Sequence, residues 1–356
     1  MTRTPPAPVP APAPMTGPAS VPAPSAGSDS GSGSARPAWE SLDPPVRARV
    51  EERLGSRVVG AHTHAGGFTG GVACGLRLAD GRRAFLKGAP ADHPDADRYA
   101  DEIAVTTALP AGLAPRVWWS AEPPESGGWW WLCLDEVPGG RPVLAPGSAD
   151  TAGAVRAVAR AGRLLAPSPV SGTRPVAEAV GPWLTGWSAL RAAPPADLCP
   201  WARRRLDALA AIERDWWPAS AGDTLLHWDL HPGNMVRGTD PATGIVLVDW
   251  SYRLRGAAWI DAAVLVPHLI LDGHTPAGAE RAVADLPRPA DPRALTAFAA
   301  GLAGLWASAA RGPAALANPA LRTHQERAAA GCLAWLRHRA GRGDRRRGVG
   351  AEGEFG

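Results

Sequence analysis

The chain has 356 residues, of which 45% are hydrophobic and 20% are charged, and its formal net charge is +3. This is the composition of a soluble globular protein, and the charge is too small to indicate a nucleic-acid partner. The four cysteines lie far apart without a C-x-x-C pair, which excludes a disulfide scaffold and a zinc knuckle.

Both ends of the chain are predicted to be disordered. Residues 1–38 contain ten prolines and no Leu, Ile, Phe or Trp, so they cannot bury enough apolar surface to offset the loss of chain entropy. Residues 341–356 are expected to form a disordered basic tail. The arginines of the segment RHRAGRGDRRRG are not interleaved with aromatic residues that would stack on nucleic-acid bases.

The sequence also predicts where the protein resides. No apolar run approaches the roughly 18 residues that cross a bilayer, and the N-terminus lacks the apolar middle of a secretory signal. We therefore expect a cytoplasmic protein without a membrane partner. Nothing in the sequence indicates an obligate protein partner.

The front of the ordered part is rich in predicted strands. A short charged helix is predicted over residues 46–54, and a second helix over 94–109. Period-two alternation and turn residues predict strands at 58–65, 72–78, 84–87, 117–119 and 129–134. The pair Asp80-Gly81 is a strong hairpin turn between two of them.

The remainder of the chain is predicted to be mostly helical. Apolar residues recur at spacings of three and four in the segments 149–165, 182–192, 201–217, 259–270, 294–310 and 322–339. The sequence therefore predicts an α+β fold in two parts. Residues 39–137 form a small antiparallel sheet with one helix, and residues 138–340 form a larger helical part.

The segment HWDLHPGNMVRGTDPATGIVLVDW, residues 227–250, carries the strongest functional signal. Asp229 and Asn234 lie in a short polar loop, and Asp249 follows the apolar run 245–248, which is typical of a buried strand. A loop aspartate can accept a hydroxyl proton, while an amide and a second carboxylate hold Mg²⁺ on a nucleotide. The spacing therefore indicates a phosphoryl-transfer site.

Lys87 is the single lysine of the chain, whereas 36 residues are arginine. A lysine retained in such a composition suggests a site that needs a compact ammonium group, which the planar guanidinium of arginine does not replace. Lys87 lies on a predicted strand, and Glu102 follows on the next predicted helix. In this arrangement the lysine contacts nucleotide phosphates while the glutamate holds it in place.

The glycine-rich turn 66–71 precedes this strand. Backbone amides of Gly67 and Gly70 are candidates for contacting nucleotide phosphates. The turn does not match G-x-G-x-x-G, however, and a flexible hairpin explains it equally well. No Gly-Lys-Ser/Thr follows, which excludes a P-loop enzyme.

A different class of function is a metal-dependent hydrolase. His227, Asp229 and His231, together with His62 and His64, are residue types that bind zinc. Such sites usually lie on barrels or sandwiches with many repeated strands, whereas the sequence of the second part predicts mostly helices. A further alternative is a catalytically silent regulator that binds nucleotide.

The motif HWDLHPGN, followed by VLVDW and RGAAWIDAA, resembles the aminoglycoside phosphotransferase and choline-kinase-like family, which has the protein-kinase-like bilobal fold. The resemblance implies a small-molecule kinase that uses ATP or GTP with Mg²⁺ to phosphorylate a hydroxylated substrate. It implies that Asp229 is the catalytic base and that Asn234 and Asp249 are the metal ligands. It also implies that Lys87 and Glu102 form the ion pair that orients the phosphates.

The resemblance assigns further residues. Residues 134–140 are similar to the hinge between the lobes, where backbone groups of Asp135 and Val137 would bind a purine. Asp261 matches the acidic residue that follows the metal-binding strand, and we expect it to support the catalytic loop together with His227. Trp228 departs from the family pattern, because it replaces a residue that is usually glycine. We expect its side chain to narrow the substrate mouth.

The acceptor substrate is predicted only by charge. Residues 262–340 contain five acidic residues and eight arginines. This balance does not favour a polycation such as an aminoglycoside, so a neutral or anionic hydroxylated metabolite is expected.

Overall fold

The structure is a computed structural model that describes residues 36–64, 70–240 and 244–351, and the side chains of these residues except 317 and 342–351. Most of the predicted disordered N-terminal segment, residues 1–35, and Gly67 of the glycine-rich turn therefore lie outside the described residues. No helix within the described ranges is long and apolar enough to cross a membrane.

The first part of the chain is an antiparallel five-stranded sheet with two helices. Its elements are α1 (Pro44–Leu54), β1 (Val58–Thr63), β2 (Val72–Leu78), β3 (Arg83–Pro90), α2 (Ala96–Ala108), β4 (Val117–Ala121) and β5 (Trp129–Asp135). The strands lie in the order β1-β2-β3-β5-β4. Lys87 in the middle of β3 is paired with Ala73 on one side and with Leu132 on the other. The central position of β3 fixes the backbone of this lysine.

The second part is mostly helical. Its helices are α3 (Ala149–Leu164), α4 (Val176–Val180), α5 (Gly186–Ala192), α6 (Pro200–Arg203), α7 (Leu206–Ile212), α8 (Trp259–Leu271), α9 (Pro276–Ala282), α10 (Pro292–Ala309), α11 (Pro313–Ala317) and α12 (Pro319–Ala351). The short strands among them are β6 (Gly139–Gly140), β7 (Arg174–Pro175), β8 (Thr224–Leu226), β9 (Met235–Gly238), β10 (Ile245–Leu247) and β11 (Leu254–Gly256).

Two three-stranded sheets fix the loops of the helical part. One has the order β10-β9-β6 and the other β7-β11-β8. The predicted catalytic loop leaves β8 in one of these sheets and enters β9 in the other. A large apolar core holds both sheets against the helices, with Trp187, Trp250 and Phe298 among its fully buried side chains.

Two helix predictions differ from the structure. The predicted helix 201–217 is broken at residues 204–205 into α6 and α7, and α7 ends at Ile212. The buried carboxylate of the next residue, Glu213, accepts hydrogen bonds from the backbone N–H of Trp187 at 2.9 Å and of Ser188 at 3.2 Å. At the C-terminus, α12 continues to Ala351, where the sequence predicted a disordered tail from residue 341.

Candidate active site

The catalytic loop and the predicted metal ligands are brought together by the β9–β10 hairpin. Asn234 ends a 3₁₀ turn immediately before β9, and Asp249 follows β10 by two residues. Because Met235 pairs with Leu247 in antiparallel register, both residues lie at the same end of the hairpin. The N–H of Val248 donates to the carbonyl of Asn234 at 3.0 Å, which joins the two segments directly.

Asp261, near the start of α8, holds the backbone of the catalytic loop. Its two carboxylate oxygens accept hydrogen bonds from the N–H groups of His227 and Trp228, each at 2.9 Å. The ring Nε2 of His227 lies 2.9 Å from the carbonyl oxygen of Val248. The loop is therefore attached both to α8 and to the segment that carries Asp249.

Asp229 lies buried at the centre of the site. The side-chain Nδ2 of Asn234 donates to the backbone carbonyl of Asp229 at 3.0 Å and to its Oδ2 at 3.1 Å. Burial and the negative charge of Asp249 raise the pKa of Asp229 to about 7, while Arg98 and the bond from Asn234 act in the opposite direction. A pKa in this range suits a group that accepts a proton near neutral pH.

Lys87 connects the two lobes. Its Nζ lies 2.6 Å from the Glu102 carboxylate on α2 and 3.1 Å from Oδ1 of Asp249. Burial alone lowers the pKa of Lys87, but the carboxylates of Asp249 and Glu102 raise it overall, so the ammonium group stays charged. The structure thus places the single lysine of the chain between the N-lobe helix and the predicted metal ligand.

The donor set fits a magnesium ion. The amide nitrogen of Asn234 donates to Asp229, which leaves the amide oxygen Oδ1 of Asn234 directed away from Asp229. Burial raises the pKa of Asp249. The charges of Lys87 and Arg98 outweigh this effect and lower the pKa to well below its usual range, so the carboxylate is ionised. Amide and carboxylate oxygens are the ligands that Mg²⁺ prefers.

Arg98 is a site residue that the sequence analysis missed. It lies one turn before Glu102 on α2, donates to the hydroxyl of Tyr252 at 3.2 Å, and stacks over that ring at 5.3 Å. Its charge acts on the carboxylates of both Asp229 and Asp249. The i, i+4 spacing from Glu102, which puts both side chains on one helix face, is the signal that could have identified it.

His231 lies beside Asp229, the predicted catalytic base. Its Nδ1 accepts a hydrogen bond from the N–H of Gly233 at 3.0 Å, so the ring proton of the neutral imidazole is on Nε2. This Nε2 is buried, has no hydrogen-bond partner among the described residues, and lies 3.9 Å from Oδ1 of Asp229. A buried donor is thus directed at the space next to Asp229.

Three other described residues are predicted to contact the nucleotide, namely Gly70, Asp135 and Val137. Gly70 lies next to His93. Val72, at the start of β2, pairs with Gly88 on β3, so the described end of the glycine-rich turn is adjacent to the strand that carries Lys87. At the predicted hinge, the N–H of Asp135 donates to the carbonyl of Arg116 at 2.8 Å, within the sheet. Val137 lies two residues after the end of β5.

The structure buries the side chain of Trp228. Its φ is +66°, and its side chain is only 8% exposed, inside the core, with its ring edge-to-face with Phe298 at 6.2 Å. Its expected effect on the substrate mouth stays a prediction. A left-handed backbone at this position explains why a glycine suits it, because glycine adopts positive φ without steric cost.

The donor atoms do not form the alternative zinc site. Within the described residues, no group of three or more His, Cys, Asp or Glu side chains is arranged to hold a metal ion. His227 instead faces the Val248 carbonyl, and His62 and His64 contact each other on the N-lobe sheet with ring centroids 5.2 Å apart.

A cavity of about 1010 Å³ lies elsewhere in the helical part, between α7, α8, α9, α10 and α12. Trp259, Leu295 and Trp335 contribute to its wall. None of the predicted site residues is among the described residues that line it. The chemistry of the catalytic loop is therefore separate from this cavity.

Comparison with known proteins identifies the family. The model of the phosphotransferase enzyme family, APH, matches residues 76–316, which is more than half of the chain, and the chain belongs to this family. No curated protein matches the chain. The match to the family model confirms the predicted family.

Solved structures confirm the predicted α+β bilobal, protein-kinase-like fold. Aminoglycoside 2'-phosphotransferase-IIIa in its GDP complex is 12% identical, with a TM-score of 0.58 over 80% of this chain and 97% of that one. Choline kinase LicA from Streptococcus pneumoniae is 13% identical, with a TM-score of 0.54 over 81% and 98%. Spectinomycin phosphotransferase in complex with ADP and spectinomycin is 11% identical, with a TM-score of 0.53 over 81% and 93%.

Proposed function

We propose that the protein is a small-molecule kinase that transfers the γ-phosphoryl group of ATP or GTP to a hydroxyl group. The observation that supports this most is the position of Lys87 Nζ, in contact with Glu102 of the first lobe and with Asp249 of the second. These contacts assemble the phosphate-binding and metal-binding groups in one place. The nucleotides in the related structures, ADP and GDP, also support a nucleotide donor.

In this proposal Asp229 is the general base. The acceptor oxygen forms a bond to the γ-phosphorus as its proton passes to Asp229, and the bond from the γ-phosphorus to the leaving diphosphate oxygen breaks. The acceptor hydroxyl lies between Oδ1 of Asp229 and Nε2 of His231, which are 3.9 Å apart. An oxygen placed there can donate to the carboxylate and accept from the imidazole at ordinary distances.

The charges around the transferred group come from both lobes. Lys87 contacts the nucleotide phosphates, and Asn234 and Asp249 hold Mg²⁺, which neutralises part of the phosphate charge when bound. Arg98 adds a second fixed cation near Asp229 and Asp249. Preorganised cations of this kind stabilise the transition state because they need no rearrangement during the reaction.

The other predicted contacts complete the proposal. Backbone groups of Asp135 and Val137 at the hinge bind the purine, and the turn that contains Gly67 and Gly70 covers the phosphates. His227 and Asp261 fix the catalytic loop through the hydrogen bonds described above. The soluble, cytoplasmic location expected from the sequence remains part of this proposal.

The test is Mg-ATP consumption with pooled hydroxylated compounds. Asp229→Ala and Asp249→Ala are expected to abolish transfer, and Lys87→Arg to reduce it by about 10², because a misplaced phosphate contact costs rates of that order. Asp207→Ala is the matched control, since the Asp207 side chain is 95% exposed. Turnover retained by Asp229→Ala contradicts the assignment. Thermal stabilisation by Mg-ATP without transfer to any acceptor indicates the silent regulator instead.

A further inference from the structure

The cavity between α7, α8, α9, α10 and α12 is large enough to hold a small molecule. Its volume is about 1010 Å³, at the upper end of the roughly 300–1000 Å³ that is typical of ligand pockets. The predicted catalytic and metal-binding residues are not among the described residues that line it. A molecule bound in this cavity would therefore occupy a site distinct from the catalytic loop.

A polar network at the cavity fixes three of its helices relative to one another. Arg339 on α12 donates to the carboxylate of Glu280 on α9 at 2.5 Å. It also donates to Oγ1 of Thr296 at 3.0 Å and to the carbonyl of Pro292 at 2.9 Å, both on α10. The indole Nε1 of Trp335 donates to the same carboxylate at 2.9 Å. Because these bonds join α9, α10 and α12, the cavity is a preformed part of the fold.

The inner wall of the cavity is apolar. Trp259 on α8 and Trp335 on α12 are buried aromatic residues, and Leu209 on α7, Val266 on α8 and Leu336 on α12 are buried aliphatic residues. An apolar group that displaces water from such a wall is bound favourably in proportion to the area it covers. The wall therefore suits a ligand with an apolar body.

The charged residues around the cavity are mostly arginines. The ion pair of Arg339 and Glu280 contributes no net charge, and Oδ1 of Asp291 accepts a hydrogen bond from the backbone N–H of Arg293 at 2.8 Å. The guanidinium of Arg205 lies over the ring of Trp201, 4.9 Å from its centroid. In total, five arginines and three acidic residues line the cavity, namely Arg205, Arg281, Arg288, Arg293 and Arg339 with Asp215, Glu280 and Asp291.

Three of these arginines come from one stretch of the chain. Arg281 lies on α9, Arg288 lies in the connection to α10, and Arg293 lies at the start of α10. All three line the cavity and are exposed, and none of them forms an ion pair with a carboxylate of the described residues. A guanidinium group presents paired N–H donors that match the two oxygens of a carboxylate. The solvent-facing side of the cavity is therefore suited to an anion.

We propose that this cavity binds an amphipathic monocarboxylate. Its apolar body lies against Trp259 and Trp335, and its carboxylate faces Arg281, Arg288 and Arg293. This inference does not depend on the proposed kinase function, because the cavity is separate from the catalytic loop. A neutral molecule of the same length lacks the charge that the arginines match, and an amphipathic cation would be repelled by them.

The first test compares three probes of one chain length by isothermal titration calorimetry at neutral pH, namely decanoate, decanol and decylammonium. We expect one decanoate to bind per chain, with a Kd about tenfold below that of decanol, because charge-assisted hydrogen bonds are stronger than neutral ones. Decylammonium should bind more weakly than decanol. Equal affinity for decanoate and decanol, or tighter binding of decylammonium, overturns the anionic ligand. Absence of binding by all three probes overturns the site.

The second test locates the carboxylate. The double variant Arg288→Gln with Arg293→Gln is expected to raise the Kd for decanoate by about tenfold, and to change the Kd for decanol by less than about twofold. Arg204→Gln is the matched control, because Arg204 is exposed and does not line the cavity. A double variant that binds decanoate as tightly as the wild type contradicts the role of these arginines.

The third test locates the apolar body. Ala284→Trp places a large side chain in the cavity, and Ala208→Trp does the same from an exposed position on α7, where folding is less sensitive to the change. Each is expected to raise the Kd for decanoate by at least about tenfold. Ala192→Trp, at an exposed position outside the cavity, is the control. Unchanged decanoate binding in both filling variants, with melting temperatures like that of the wild type, overturns the assignment.

Discussion

Replacing Trp228 with glycine has two opposing effects on stability. The side chain is 8% exposed and packs against Phe298 in the core, so its removal loses buried contacts. The backbone at this position has φ of +66°, so removal of the Cβ also relieves a left-handed conformation. The balance between these effects can be worked out from measured magnitudes.

Truncation of a buried tryptophan or phenylalanine to alanine costs about 3–5 kcal/mol. Release of a left-handed residue returns about 1–2 kcal/mol, so Trp228→Gly is expected to lower the free energy of unfolding by roughly 1–4 kcal/mol. Trp228→Ala loses the same ring contacts and keeps the unfavourable backbone. The glycine variant should therefore be at least as stable as the alanine variant. At ordinary positions glycine is the less stable of the two by about 0.5–1 kcal/mol.

Urea denaturation of both variants measures this difference. Ala299→Gly, in the buried middle of α10, serves as the reference for an ordinary helical position. An alanine variant that is more stable than the glycine variant by the margin found at Ala299 would refute the effect of φ. Wild-type stability in Trp228→Gly, combined with a widened range of acceptors, would place the side chain at the substrate mouth after all.

Three further predictions concern the site and its surroundings. Arg98→Gln is expected to lower kcat by about 10²–10³, because it removes a fixed cation next to Asp229, and steady-state kinetics measure this loss. Asp261→Asn is expected to lower the free energy of unfolding by about 1–3 kcal/mol, measured by urea denaturation, because the amide nitrogen cannot accept the N–H bond that one carboxylate oxygen accepts. Stability should fall as the pH is lowered from 6.5 to about 4, because the folded pKa of His324 is about 4 and the unfolded value is 6.5, so the unfolded state binds more protons in this window. The lowered pKa of His324 changes the free energy of unfolding by on the order of 3 kcal/mol across this window, and the stability is at its full value above pH 6.5.

Each of these predictions has its own control. Asp97→Asn, an exposed change on the same helix, should leave kcat unaltered, and an equal loss in both variants would contradict the role of Arg98. A loss below about 0.5 kcal/mol in Asp261→Asn, the range of ordinary surface substitutions, would show that the loop does not depend on this carboxylate. His324→Gln should reduce the slope of the melting temperature against pH, while the lowered pKa of His268, about 3, keeps part of it, and an unchanged slope would exclude His324 as a source.

Local sequence patterns predicted the larger elements well. Strand β2 coincides with the predicted residues 72–78, and α3 differs from the predicted 149–165 by one residue. The apolar run 245–248 predicted β10, whereas β8 and β11, which have three residues each, were not predicted. Three residues are too few to show a periodicity, and the pairing of β11 with β7 and β8 joins distant segments. Such strands depend on the tertiary fold and are not visible in a local pattern.

In the candidate site, too, some features could be predicted from the sequence and others depend on the tertiary fold. The rarity of lysine drew attention to Lys87, and the spacing of the loop motif drew attention to Asn234; the structure brings both into the candidate site. The contact from Lys87 to Asp249, 162 residues later, cannot be predicted from spacing, and only the family resemblance implied that these residues share a site. The left-handed backbone of Trp228 was not predicted, because tryptophan disfavours a positive φ and nothing in the residue type indicates that conformation.

The charge of the acceptor site shows why a count of residues is a weaker guide than their positions. Residues 262–340 contain more arginines than acidic residues, yet Arg311 pairs with Asp197 at 2.8 Å and Arg339 pairs with Glu280 at 2.5 Å. Arg327 is exposed, and burial together with its charge lowers the pKa of His324. The expected charge of the acceptor stays a prediction. The sign of a binding site is therefore set by the charges that converge on it, and paired surface charges contribute little to it because solvent and their partners screen them.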